Sequence, residues 1–324
     1  MRHLIGIEDL SVAEIEALVA TAEDIIDNPQ KYAEVCHGKK LASLFYEPST
    51  RTRLSFEAAM IELGGSVIGF SEAQSSSAAK GESVADTAKV ISCFADIMVM
   101  RHFKEGAPMV ASLNATVPVI NAGDGGHMHP TQTLADIATI VSRHGRLENL
   151  TVGLCGDLMF GRTVHSLIET LCRFGNIRFV LISPDELKTP QYVIDAIDES
   201  KTCEYVEVRD MVSVISQLDI LYMTRVQQER FFSEDEYLRL RDTYILDEDK
   251  LRAAKPDMAI LHPLPRVNEI AVEVDDDPRA AYFEQVKNGM LMRMALQSTV
   301  LGDELPGYAQ YRAEKQQNRG KRWK

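Results

Sequence analysis

Long apolar runs are missing from this 324-residue sequence. No stretch approaches the ~18 apolar residues that cross a bilayer, and the opening MRHLIGIEDLSVAE lacks a signal peptide's apolar centre. No membrane span is expected, and the cytoplasm is the expected compartment. Cysteine is sparse: Cys36, Cys93, Cys155, Cys172 and Cys203 form no CxxC pair and sit mostly in apolar stretches. Each reads as a buried structural thiol rather than a metal ligand or redox group. Basic residues are outnumbered 35 to 48, and the net charge of −13 argues against nucleic acid as a partner. A local arginine cluster can still hold a small anion against that field. Aromatics make up 7%, with a single tryptophan, Trp323. No G-x-S-x-G elbow supplies a hydrolase nucleophile, and no G-x-G-x-x-G supplies a dinucleotide fingerprint.

What is present is an alternation of apolar runs with helical patterns, the signature of α/β architecture with parallel sheets. The length exceeds the size at which one core keeps growing, so two domains of roughly 150 residues are expected. Ser11 and Glu14 form a capping box opening the helix SVAEIEALVATAEDI. KKLASLFYE reads as a buried strand, EPSTRT as a loop, and RLSFEAAMIELG as a helix ended by Gly64-Gly65. VIGF, DIMVM and VPVINA continue the series, followed by the turn GDGGHMHP and the helix TQTLADIATIVSRHG. That helix carries Leu134, Ile137, Ala138 and Val141 on one face. A second series runs through LTVGLCGD, GRTVHSLIETLCRFG, FVLIS, QYVIDAIDES and LYMTR to MAILHPLPR. No solenoid repeat or low-complexity linker divides the two, so the boundary is expected on a helix between Thr131 and Gly145. The last segment, GYAQYRAEKQQNRGKRWK, is basic and poor in aliphatics, and reads as a frayed tail.

Polar clusters fall at the C-terminal ends of the expected strands, where open α/β sheets bind ligands. Ser49-Thr50-Arg51-Thr52-Arg53 offers hydroxyls, arginines and a helix N-terminus. It reads either as a phosphate site or as an N-cap beside solvated arginines. Ser75 to Glu82, with Lys80, is a mobile cation-bearing loop or a plain surface loop. His127, His129 and Gln132 follow a strand; two histidines at i, i+2 suggest a metal but lack a carboxylate or third histidine at ligand spacing, a neutral donor histidine fits as well, and plain turn structure is the third reading. Gly156 to Thr163 falls one residue short of a P-loop, with Arg162 in the lysine position; arginine's planar fork suits a carboxylate or phosphate held side-on. Thr224-Arg225-Val226-Gln227 leaves one strand. His262-Pro263-Leu264-Pro265-Arg266 is a Pro-locked turn, either one whose carbonyls meet an amine or an ordinary rigid turn. Arg51, Lys80, Arg101, Arg162 and Arg225 together suit substrates with several negative charges.

In order and spacing, FYEPSTRTRLSFE, GDGGHMHPTQTLAD, GDLMFGRTVHSL, DILYMTRVQ and HPLPRVNEI resemble the aspartate and ornithine carbamoyltransferase superfamily. The match runs from about His3 to Leu301. His129-Pro130-Thr131-Gln132 and His262-Pro263-Leu264-Pro265 replace the HPCQ and HCLP of the ornithine branch, so the aspartate branch is the expected one. The resemblance implies a carbamoyl-phosphate-binding domain over residues 1–131 plus about 287–306. It implies an aspartate-binding domain over 132–286, the two joined by helices, with 307–324 a basic tail outside the match. It implies carbamoyl transfer from carbamoyl phosphate to L-aspartate in pyrimidine biosynthesis, without cofactor or metal. An ornithine or other amino-acid carbamoyltransferase, or a non-catalytic scaffold of the same fold, are the alternatives.

Residue by residue, the resemblance implies that Ser49, Thr50, Arg51 and Thr52 hold the phosphate. Thr52, Arg101 and His129 address the carbonyl oxygen, and Gln132 with the Leu264 and Pro265 carbonyls meets the carbamoyl amine. Arg162, Arg225 and Gln227 take the aspartate carboxylates. Ser76 and Lys80 reach in from a neighbouring subunit of a homotrimer with shared active sites, Lys80 touching both substrates. Glu47 pairs with Arg162 or Arg230 in domain closure. A separate regulatory chain is a possible further partner.

Overall fold

The computed structural model describes residues 3–75, 77–226 and 243–302. These residues divide into two compact units, the breaks falling between Ala135 and Asp136 and between Val286 and Lys287. Each break lies within a helix, Pro130–His144 and Tyr282–Leu301.

The first unit carries a parallel sheet of β1 (Lys40–Phe45), β2 (Ser66–Phe70), β3 (Ile97–His102) and β4 (Val119–Asp124), in the order β2-β1-β3-β4. Helices Thr50–Glu62, Val84–Ile91 and Ala107–Asn114 make the crossovers. Strands covered on both faces lose the alternation of a half-solvated sheet. Accordingly Leu41, Ala42, Leu44 and Phe45 of β1 and Ile97, Met98, Val99 and Met100 of β3 are all buried. The first helix, Val12–Asp27, opens as its capping box predicts: the Glu14 amide donates to Ser11 Oγ at 3.3 Å and the Ser11 amide to Glu14 Oε2 at 2.8 Å.

The second unit carries β5 (Leu150–Cys155), β6 (Ile177–Ile182), β7 (Glu204–Val208), β8 (Ile220–Met223) and β9 (Ala259–Leu261) in the order β7-β6-β5-β8-β9, again all parallel. Two doubly wound parallel sheets are thus the architecture, as the alternating pattern implied. In each sheet the order reverses once, between β1 and β3 in the first and between β5 and β8 in the second. Loops leaving the carboxyl ends of those strands flank a crevice where such sheets bind ligands.

Several expectations needed adjustment. Strand β7 and helix Ala107–Asn114 were not foreseen. Strand β7 is a sheet edge whose glutamates face solvent, so it offers no apolar run to detect. The helix expected from Arg53 begins at Thr50. Of the cysteines, Cys36 and Cys155 are buried, Cys172 and Cys203 are half-buried and Cys93 is exposed, which corrects the uniformly buried reading. Cys93 lies just past the helix Val84–Ile91, where its apolar neighbours Val90 and Phe94 are exposed as well.

Candidate active site

In the first unit the switch point is formed by the loop after β1 and the end of β3. Phe45 pairs with Arg101 across the two strands, and the Tyr46 amide donates to the Arg101 carbonyl at 2.9 Å. This register sets Arg101 beside the loop that leads into helix Thr50–Glu62. Ser49 is that helix's N-cap, makes no side-chain cap bond, and no acidic residue occupies the first turn. The first-turn amides and the helix dipole are therefore arranged to favour an anion. Partial desolvation, and then the neighbouring Arg101 charge, hold the Arg51 pKa below its ordinary value, although the side chain still reaches solvent. Two like charges held together in this way favour an anionic ligand between them.

Arg101 is fixed from three sides. Its Nη1 donates to the Ala122 carbonyl at 3.2 Å, and its Nη2 pairs with Glu47. Gly123, at φ 118°, passes so close that a Cβ there would lie 2.7 Å from Nη1. His129 is buried, with Nε2 3.5 Å from Thr52 Oγ1. The three groups expected at the carbonyl oxygen, Thr52, Arg101 and His129, thus occupy one unit, with Thr52 and His129 in direct contact.

The turn before His129 is organised by Asp124, a fully buried carboxylate. Its Oδ1 accepts from Asn121 Nδ2 at 3.0 Å and the Met128 amide at 3.1 Å, and its Oδ2 from the Gly106 amide at 2.8 Å. His127 is half exposed and lies 3.2 Å from the same Oδ2. His127 and His129 therefore do different work, and the described residues hold no group of three potential metal ligands. Sequence reasoning gave Asp124 no role. Its only signal was a carboxylate inside a Gly-rich turn, which must be satisfied if buried.

In the second unit the switch point lies between β5 and β8, where Cys155 pairs with Met223. The loop after β5 leads to Arg162, the first residue of helix Arg162–Cys172; the loop after β8 leads to Arg225. Both arginines are half-buried. Thr224 ties the two loops: its Oγ1 accepts from the Asp157 amide at 2.9 Å and donates to the Cys155 carbonyl at 3.2 Å. Gly156, at φ 120°, has no room for a side chain, since a Cβ would lie 2.3 Å from the Thr224 carbonyl oxygen. The loop after β9 carries Leu264 and Pro265, joined by a cis peptide bond.

Glu47 pairs with Arg101 within its own unit, a partner the sequence reading did not name, while Arg230 lies outside the described residues. So do Ser76 and Gln227. Lys80 is exposed at the end of a short 3-10 turn. Gln132 stands in the first turn of helix Pro130–His144, its amide donating to the His129 carbonyl at 2.9 Å.

Residues 2–142 match the aspartate/ornithine carbamoyltransferase carbamoyl-P binding domain, and residues 148–300 match the Asp/Orn binding domain of the same family. The chain belongs to the aspartate/ornithine carbamoyltransferase family. It is 71% identical over 307 residues to an aspartate carbamoyltransferase catalytic subunit of Bifidobacterium longum, covering 95% of this chain and 96% of that one. A Clostridium botulinum aspartate carbamoyltransferase catalytic subunit is 60% identical over 301 residues, covering 93% and 98%. Among solved structures, the catalytic subunit of M. jannaschii aspartate transcarbamoylase superposes with a TM-score of 0.86 at 42% identity, over 94% of this chain and all of that one. Trypanosoma cruzi aspartate transcarbamoylase in complex with N-(phosphonacetyl)-L-aspartic acid gives 0.86 at 38% identity, over 93% and 96%. The carbamoyltransferase family's two domain descriptions thus fall on the unit that holds Arg51 and Arg101 and on the unit that holds Arg162 and Arg225.

Proposed function

We infer that this chain transfers the carbamoyl group of carbamoyl phosphate to the α-amino group of L-aspartate, releasing N-carbamoyl-L-aspartate and phosphate. What carries the reading is the pairing of two arginine-bearing switch points with relatives at 60–71% identity that are aspartate carbamoyltransferase catalytic subunits. A phosphate and two carboxylates need such a set of cations. Ornithine's side-chain ammonium would gain nothing from Arg225.

Ser49, Thr50, Arg51 and Thr52 hold the phosphate at the helix N-terminus. Arg162, Arg225 and Gln227 hold the aspartate carboxylates, and Lys80, with Ser76, is supplied by a neighbouring subunit. The neutral α-amine attacks the carbamoyl carbon, forming the C–N bond, and negative charge grows on the carbonyl oxygen. Thr52, Arg101 and His129 stabilise that charge; a fixed donor of this kind is worth about 2.7–4 kcal/mol. The C–O bond to phosphate breaks, and the departing phosphate takes the amine proton, so no protein base is needed. Gln132 and the Leu264 and Pro265 carbonyls orient the carbamoyl amine. Holding two anions in contact against their repulsion supplies much of the remaining rate.

The working unit we propose is a homotrimer with shared sites in the cytoplasm, open to association with a separate regulatory chain. No helix among the described residues is long and apolar enough to cross a membrane. The deciding experiment measures ureido product from carbamoyl phosphate with L-aspartate or L-ornithine as acceptor. Turnover with aspartate alone is expected. Turnover with ornithine would overturn the acceptor site, and silence with both in a folded protein would favour a scaffold.

A further inference from the structure

The loop His262-Pro263-Leu264-Pro265 has one backbone donor between its prolines. Neither Pro263 nor Pro265 has an N–H, and the Leu264 amide is given to His262 Nδ1 at 2.8 Å. Leu264 stands at φ 54°, a left-handed conformation that residues with a side chain avoid. The hydrogen bond to His262 is one contact that ties this residue in place.

The imidazole is itself held. Because Nδ1 accepts, the ring proton sits on Nε2, which faces Glu269 Oε1 at 2.7 Å. The other oxygen, Oε2, accepts from the Val267 and Asn268 amides, each at 3.0 Å. Every one of these bonds is donated to Glu269, so the carboxylate fixes the tautomer from one end. From the other, the His262 amide donates to Gln285 Oε1 at 3.0 Å, Gln285 Nε2 donates to Asp136 Oδ1 at 2.6 Å, and Tyr222 donates to Asp136 Oδ2 at 3.0 Å. All five residues are buried. A buried histidine must have partners for both ring nitrogens; here the Nδ1 partner is the one backbone donor between the two prolines.

We propose that His262 is a positioning residue for carbamoyl transfer: Nδ1 holds the Leu264 amide and thereby aims the Leu264 carbonyl at the carbamoyl amine. The proposal rests on the functional reading of Leu264 given above. Misplacing a contact by about 1 Å can cost about 10²-fold in rate without touching substrate affinity elsewhere.

The test compares two isosteres. In His262→Asn the amide oxygen replaces Nδ1 and can accept from Leu264; in His262→Gln the longer side chain carries its amide past Leu264, and its Nε2 donates to Glu269 instead. The expected result is a kcat for His262→Asn within about tenfold of wild type, and for His262→Gln about 10²-fold lower. Phosphate affinity and the KM for L-aspartate should stay within about threefold of wild type in both. Equal losses of kcat in the two variants, or losses confined to phosphate affinity, would overturn the proposal. Nitrogen-15 spectra of histidine-labelled wild-type protein read the His262 tautomer whatever the stability of the variants. A ring proton on Nδ1 would overturn the proposal as well. Absence of wild-type turnover with aspartate would instead sink the functional reading, which keeps the two failures apart.

Discussion

Arg51 and Arg225 carry the same charge, and losing each should be felt in a different kinetic constant. Arg51 stands in the first turn of helix Thr50–Glu62, with its pKa lowered by partial desolvation and by Arg101. A phosphate held there bears the charge that grows as it leaves, so the contact strengthens along the reaction. Arg51→Ala should therefore lower kcat by about two orders of magnitude or more, and a loss below about tenfold would count against the phosphate role. In the proposed reaction Arg225 addresses a carboxylate whose charge does not change during transfer. Arg225→Ala should raise the aspartate KM by about tenfold or more while sparing kcat better than Arg51→Ala does. Unchanged aspartate saturation would remove Arg225 from the site. Both arginines were legible in the sequence because each follows an apolar strand. Asp124 and Glu269 were not, because the partners that justify burying them are loop amides and ring nitrogens set by tertiary folding.

At the scale of elements, the positions that matter are the strand ends on either side of each order reversal. Strand β5 hands over to Gly156, whose φ of 120° and closeness to the Thr224 carbonyl leave no room for a Cβ. Gly156→Ala should destabilise the protein by about 1–3 kcal/mol, read as a lower urea midpoint at unchanged slope. A change under about 0.5 kcal/mol would mean that the loop can shift at little cost and that Thr224 does not hold it. Much of this level was readable from sequence: apolar runs mark buried parallel strands, and clusters of Gly, Ser and Arg mark their ends. Strand β7 escaped because an exposed edge carries charge where a buried strand carries Val or Leu. The chain from His262 through Gln285 to Asp136 escaped for another reason. Gln285 and Asp136 lie 149 positions apart, and no local period links them.

Charge acts on the molecule as a whole, and it gives a pH limit. Glu269 is held below its ordinary pKa: burial alone would raise it, and the hydrogen bond from His262 and the amides of its own loop outweigh that. Asp275 is lowered first by its hydrogen bond from Arg266, and Asp277 by that from Arg279. A group lowered in the folded state lends stability above its unfolded pKa and withdraws it as pH falls towards the folded value. Urea midpoints should accordingly hold steady from neutral pH down to about 4–5 and fall below that. A midpoint that rose on acidification would contradict these pairings.

Assembly supplies the remaining test at this scale. If Lys80 enters the site of a neighbouring subunit, chains with Lys80→Ala and chains with Arg225→Ala each form trimers in which every site is damaged. Mixed trimers differ. Wherever a chain with an intact Arg225 meets a neighbour with an intact Lys80, one whole site is restored. A closed ring of three has one such junction whichever variant is in excess, so a mixed trimer should recover roughly a third of the wild-type rate. The recovered activity should carry a wild-type KM for aspartate, since the restored site is complete. If each chain instead used its own Lys80, no mixture could build an intact site. Activity after mixing, unfolding and refolding together would then equal the sum of the parents, and the shared site would be excluded.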